Sequence, residues 1–291
     1  MTYRINANAL TLINNLYFLE DRLYSGIAYI RQADSSYKAR HVNDGVVGNQ
    51  YIPFCLQDHT IDVAQLAIYE YDSLESVSYA LALNDKLYQG FLVSFYGNGH
   101  VSSEEYYEDG FCASEANWTK LGSLDNAILT YERWTESISF SGSILKSYSL
   151  AFLQNRFILY FDEVTQQLTD LNISAVFNEF DFSRSKLFPF NGLDDILNYP
   201  FSNQLLLECD YVDDQFIKKL LEHKKIQHVS KLSLIGVALK DFSFLVHLTD
   251  LDVLEANLLG HMNNLIDICQ HIKLNFNPKF KLILNEKEVI K

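Results

Sequence analysis

The sequence predicts an α+β fold, with an antiparallel β-meander of repeated hairpins in the N-terminal half and a smaller α/β part after it. Three observations lead there. Apolar and polar residues alternate through "SVSYALALNDKLYQGFLVSFYGNGHVSSEEYY", residues 76–107, with Asn and Gly between the runs. "LEDRLYSG" (Leu19 to Gly26) returns 64 positions later as "LNDKLYQG" (Leu83 to Gly90). After about residue 200, strand-like and helix-like stretches begin to alternate.

In chain order, residues 24–31, 37–42 and 46–52 read as strands that turn at Asn43-Asp44-Gly45. Residues 76–83, 87–96 and 100–107 read as a second set, with turns at Asn84-Asp85, Asn98-Gly99 and Glu108-Asp109-Gly110. Asn and Gly accept the positive φ that tight hairpins need. Phe91, Val93 and Phe95 share one face of the middle strand, as a period of two requires. "SFSG", ending at Gly142, reads as a weaker third copy, 52 positions after Gly90. Such unequal spacing fits hairpins separated by insertions rather than a strict solenoid.

Residues 151–200 read as a β-rich connection. Beyond it "QLLLECD" (204–210) is strand-like, and "DDQFIKKLLEHKKI" places Phe216, Ile217, Leu220 and Leu221 at helical spacing behind Asp213 or Asp214 as cap. "KLSLIG", "FSFLVHLTDLDVL", a helical "NNLIDICQHI" and "FKLILN" follow. Short apolar-x-apolar cores at 205/207, 232/234, 251/253 and 282/284 predict strand, crossover and parallel strand. The predicted regions are therefore 1–150, 151–200 and 201–291.

The formal net charge of -14 argues against nucleic acid, whose phosphates would be repelled. Between Asp58 and Glu136 fourteen acids face only Lys86, Lys120 and Arg133. A basic protein suits that field, although a merely solvated acidic face uses the same residues. No run approaches the roughly 18 apolar residues of a membrane span. "MTYRINANALTLINNLYFLEDRL" has no compact apolar run or small-residue cleavage site. Cys55, Cys112, Cys209 and Cys269 lie far apart and read as reduced thiols, so the expected compartment is the cytoplasm.

No chemistry-bearing motif stands out, and the expectation is a non-enzyme without cofactor or metal. His223 and His228 are five apart, and Cys269-x-His271 is a two-ligand fragment, whereas metal sites need three or four converging ligands. "YGNGH" is followed by no Lys and no helix start, so a hairpin turn explains it better than a phosphate loop. Neighbouring acids such as Glu104-Glu105 and Asp194-Asp195 would point to opposite faces of a strand and do not converge on one substrate.

Gly90, Tyr96, Asn98-Gly99, Tyr106-Tyr107 and Gly110 together resemble the MORN-repeat variant of bacterial antitoxin-like proteins. The first copy departs from it by inserting "RQADSSYKAR" at the Asn-Gly turn. Leu232, Leu234, Leu239, Leu245, Leu248, Leu251, Val253 and Asn257 resemble a short, irregular leucine-rich repeat, with a compact α/β cap as the alternative. Both families are mostly binding scaffolds. The resemblance implies an immunity protein that neutralises a basic, cytoplasm-acting toxin such as a nuclease; the alternative is a non-catalytic scaffold or regulatory module. In the repeat-like register Lys231, Ser233, Asp250 and Asp252 would face outward, with Glu208 and Asp210 on the neighbouring strand. The expected partner-binding residues are Glu104, Glu105, Glu108, Asp109, Glu208, Asp210, Asp250 and Asp252.

Overall fold

The structure, a computed structural model, describes residues 2–56, 68–70, 75–77, 80–83, 86–131, 134–152, 155–174, 185–187, 195–196, 198–210, 222–237, 242–258, 264–275, 277–285 and 287–290. The chain divides into two units, residues 1–132 with 139–143 and residues 133–138 with 144–291.

The first unit holds β1 (Tyr3–Asn6), β2 (Thr11–Ile13), β3 (Leu16–Leu19), β4 (Arg22–Leu23), β5 (Gly26–Arg31), β6 (Tyr37–Asn43), β7 (Val46–Gln50), β8 (Ile68–Glu70), β9 (Glu75–Val77), β10 (Ala80–Leu83), β11 (Lys86–Leu87), β12 (Gly90–Phe95), β13 (Val101–Glu108), β14 (Phe111–Trp118) and β15 (Leu124–Tyr131). These are two copies of one motif. A parallel strand lies against the first hairpin strand, pairing Ile5 with Ala28 in one copy and Tyr69 with Leu92 in the other. A three-stranded ribbon follows, β2–β3–β4 or β9–β10–β11, and then the long hairpin β5–β6 or β12–β13.

Their small cores match side chain for side chain. Ile5, Tyr24, Ala28 and Val42 cluster in the first copy, and Tyr69, Tyr88, Leu92 and Tyr107 in the second. The repeated Tyr is what the octapeptide conserves between copies. Its ring is buried under the ribbon while its hydroxyl stays satisfied: Tyr24 donates to Ile27 O at 2.9 Å and Tyr88 to Phe91 O at 2.6 Å. The amide of Gly45 donates to Tyr24 O, and that of Gly110 to Tyr88 O, both at 2.8 Å. Asp44 (φ 46°) with Gly45 (φ 79°), and Asp109 (φ 48°) with Gly110 (φ 81°), form left-handed turns for which Asp-Gly is suited. A Cβ added at Gly110 would lie 2.8 Å from Leu81 O.

The third copy is narrower than the sequence suggested. Gly142 (φ 66°) turns between β16 (Trp134–Ser141) and β17 (Ile144–Phe152), so its counterparts are Gly45 and Gly110 rather than Gly26 and Gly90.

The second unit continues with β18 (Asn155–Phe161), β19 (Leu168–Ser174), β20 (Phe201–Asp210), β21 (Lys231–Val237), β22 (Val253–Leu258), β23 (Lys281–Leu284) and β24 (Lys287–Ile290). β17, β18 and β19 form an antiparallel meander. β20, β21, β22 and β23 are then added in parallel to β19, and β24 returns antiparallel. Leu205, Leu207, Leu232, Leu234, Leu254, Ala256 and Leu282 are buried along one face of these strands. Helix α1 (Leu265–Asn275) buries Leu265, Cys269 and Ile272, one stripe at helical spacing.

This corrects the predicted fold class. Among the described residues the fold is mostly β, 59% strand against 12% helical, and the C-terminal region is no smaller α/β part but a parallel extension of a β-sheet. Between the parallel strands, the described connections include the 3-10 turns Lys224–His228 and Ser243–His247 as well as α1. Most of the helix expected at 213–226, Leu239, the turn at Asn84-Asp85 and Asp194 lie outside the described residues. The register around residue 251 also changes. Leu248 and Leu251 are buried before the strand, where Leu251 N donates to Leu248 O at 3.2 Å. The strand itself begins at Val253, so Leu254 and Ala256 point inward and Val253 and Glu255 do not.

Candidate functional site

Strand β13 alternates, and its two adjacent glutamates separate to opposite faces. Glu104 points inward and is 1% exposed, so it cannot meet a partner; the expectation that it would is corrected here. Its carboxylate accepts from Tyr29 Oη at 2.9 Å, Phe54 N at 2.8 Å and Tyr51 Oη at 3.4 Å, and Arg4 Nε lies 3.2 Å away. The Arg4 guanidinium in turn lies over the Trp118 ring, 3.6 Å from its centroid. Burial pushes the Glu104 carboxyl above the ordinary glutamate value, against the pull of Arg4 and the donors. Burial alone would lower Arg4, but Tyr51 and Glu104 more than offset it. This centre ties β1, β5, β13 and the segment after β7 together.

Glu105 faces the other way and stands directly opposite Glu115 across the β13–β14 ladder. Both are half-buried, and no cation pairs with either among the described residues. Glu105 accepts from Ser103 Oγ at 2.7 Å and Tyr107 Oη at 2.9 Å. Glu115 accepts from Asn117 Nδ2 at 3.4 Å, and Asn117 reaches Asn126 Oδ1 at 3.0 Å. Burial and the Glu105 charge raise the Glu115 carboxyl. Burial, then the same two glutamates, push the Cys112 thiol up to about 12. Ile128, paired with Glu115 on its far side, is 39% exposed. The result is a negative strip with an apolar margin on one face of β13–β14–β15.

Glu108 and Asp109 are exposed at the neighbouring hairpin end, beside the exposed ring of Phe111. The other four predicted residues belong to the second unit and do not cluster. Glu208 is half-buried and accepts from Asn172 Nδ2 at 2.6 Å. The side chain of Asp210 lies outside the described residues. Asp250 and Asp252 are exposed, and Asp252 accepts from Asn277 Nδ2 at 2.9 Å. Asp252 N bonds Ser230 O and Ser230 N bonds Asn203 O, so this pair marks the start of the parallel strands. Asp210 lies seven residues further along β20, about 23 Å at strand rise. Between them the outer face is mixed, because Lys231 pairs with Glu255 at 3.0 Å.

Sequence reasoning missed a second buried acid. Glu136 is fully buried in the second unit and accepts from Tyr148 Oη at 2.6 Å, from Ser185 Oγ and from Lys186 N at 2.8 Å. Glu104 and Glu136 each stand six residues before a left-handed turn Gly, and each holds a backbone N–H from a distant segment. The signal for Glu104 was available: it shares strand parity with the buried Tyr106.

Comparison with protein-family models and with curated proteins found no match. Among the described residues no helix is long and apolar enough to cross a membrane, and no three His, Cys, Asp or Glu side chains converge as a metal site would need.

Proposed function

We propose that the chain is an immunity protein that binds and neutralises a basic toxin domain acting in the cytoplasm, a nuclease being the natural class. The observation that carries this reading is the opposed pair Glu105 and Glu115, with no cation paired to either among the described residues, on a face bordered by Ile128. Like charges directly opposite one another cost a sheet stability. A Lys or Arg from a partner would offset that cost on binding and turn the strip into a source of affinity. The net charge of -14 adds long-range attraction for the same class of partner. MORN-like hairpins and parallel leucine-lined strands are both used as binding scaffolds, which agrees with this reading.

The test is co-expression with the C-terminal domain of a large toxin encoded beside this chain. Growth rescue together with co-purification is the expected result, and failure of both sinks the reading. Co-purification without rescue would point instead to a scaffold. With the complex in hand, Glu105→Lys with Glu115→Lys should slow association by about tenfold at low salt, with the difference shrinking at high salt. An unchanged on-rate removes this face from the interface.

A further inference from the structure

We infer that a groove on the outer face of the second unit binds an arginine side chain presented on a peptide segment of another protein. The groove forms where the sheet changes direction, since β18 and β19 are antiparallel whereas β19 and β20 are parallel. Leu168 faces Phe201 and Asp170 faces Leu206, so Ser202 to Leu205 stand against Thr169 alone. Bulges of this kind part a ladder locally and re-aim its side chains. Here the cleft measures about 510 Å³, and its lining includes Asp162, Asp170, Gln204, Leu206, Lys231 and Ser233.

The carboxylates on the β19 side are not used up by the fold. Val164 N, Thr165 N and Thr165 Oγ1 all donate to Oδ1 of Asp162, at 3.0, 2.6 and 2.9 Å, which leaves Oδ2 without a partner among the described residues. Asp170 is half-buried, and among the described residues its carboxylate accepts no hydrogen bond and pairs with no cation. A partly desolvated carboxylate without donors gains when a cation reaches it. On the opposite side Lys231 is neutralised by Glu255 at 3.0 Å, and Ser233 Oγ donates to the same carboxylate at 3.2 Å. Leu206 stands between Asp170 and Ser233 as an aliphatic floor.

That combination fits a long cationic side chain, whose methylenes lie on Leu206 while its head meets Asp170. Arginine suits it better than lysine. A guanidinium donates five N–H groups in a plane, and the acceptors around it are the two carboxylates with the side-chain oxygens of Ser202 and Gln204. Free arginine fits less well, because its own carboxylate would enter beside two aspartates. Within a peptide the same residue carries no such charge, and the groove has room for flanking main chain. The site belongs to the second unit and is distinct from the Glu105 and Glu115 strip of the first, so it does not depend on the toxin reading.

Titration of the full chain with N-acetyl-arginine methylamide, followed by NMR, tests this at about 0.15 M salt, where the field of the whole molecule is screened. Saturable binding with a dissociation constant of roughly 1–10 mM is expected, with the amides of Asp170, Leu206 and Ser233 shifting most. The isosteric but uncharged citrulline derivative, the lysine derivative and free arginine should each bind at least about threefold more weakly. Asp170→Asn should weaken binding of the arginine derivative at least about fivefold, with the rest of the spectrum unchanged. No saturation by about 50 mM, or shifts centred outside the groove, overturns the inference. So does indifference to Asp170→Asn, or citrulline or lysine binding as tightly as arginine. Free arginine binding as tightly as the capped form overturns the assignment to a peptide.

Discussion

Glu104→Ala should be among the most damaging single substitutions in the first unit. It leaves Arg4 with 12% of its side chain exposed and no carboxylate, and it orphans the buried Tyr29 hydroxyl and the Phe54 amide. Removing one member of a buried pair costs about 3–5 kcal/mol, and each orphaned donor about 1–3, in overlapping amounts. About 4 kcal/mol is the working figure, a large part of the roughly 5–15 kcal/mol that holds a domain together. The assay is urea unfolding read by tryptophan fluorescence. The chain has two tryptophans, Trp118 against Arg4 in the first unit and Trp134 stacked on Phe152 at 4.4 Å in the second. A Trp134→Phe background therefore reports the first unit alone. Arg4→Met with Glu104→Leu should cost clearly less than the two single changes added together, since no charge is then stranded. A loss below about 1 kcal/mol for Glu104→Ala, or simple additivity in the cycle, would refute the reasoning.

Three further substitutions probe the buried carboxyl and the glycine turns. The folded Glu104 carboxyl titrates above its ordinary 4.5, so the folded state holds a proton where the unfolded chain has already lost it. Its contribution to stability is therefore fully present below 4.5 and is lost as pH rises through the raised folded value; Glu104→Gln should flatten that slope in denaturant midpoints measured from pH 4.5 to 7. Gly110→Ala should cost about 1–3 kcal/mol in the same unfolding assay, through positive φ and the approach to Leu81 O. Gly142→Ala has open space around it and should cost only about 1 kcal/mol, so equal losses would show that ribbon contact plays no part.

The N-terminal hairpins were legible because their signals are local. Asp-Gly fixed the turns at 44–45 and 109–110, and period two put Phe91 and Val93 on one face of β12. The C-terminal strands at 201–210, 231–237 and 281–284 were also legible as short leucine runs, and α1 as a helix. What local pattern could not give was their partner, since a leucine run reads the same in a separate α/β part as in parallel strands added to β19. Leu251 and Val253 misled for a related reason: both are apolar, but a turn ends between them and shifts the inward set by one residue. Among the acids, parity alone separates Glu104 from Glu105. That Tyr29, Tyr51 and Arg4 surround the inner one depends on contacts 50 to 100 residues apart in the chain, which no window over the sequence contains.

The contact between Arg4 and Trp118 also sets an order of events during synthesis. At ribosomal rates of about 5–20 residues per second, Arg4 emerges roughly 5–20 s before the carboxylate and ring that receive it. Until then its guanidinium is better left in water, and β1 is held by its pairing with β5 and by Ile5 packed against Tyr24, Ala28 and Val42. The last contacts of β1 therefore form only after β13 and β14 have been made. The closing step joins sequence positions about a hundred apart, a loop whose entropy makes that docking slow.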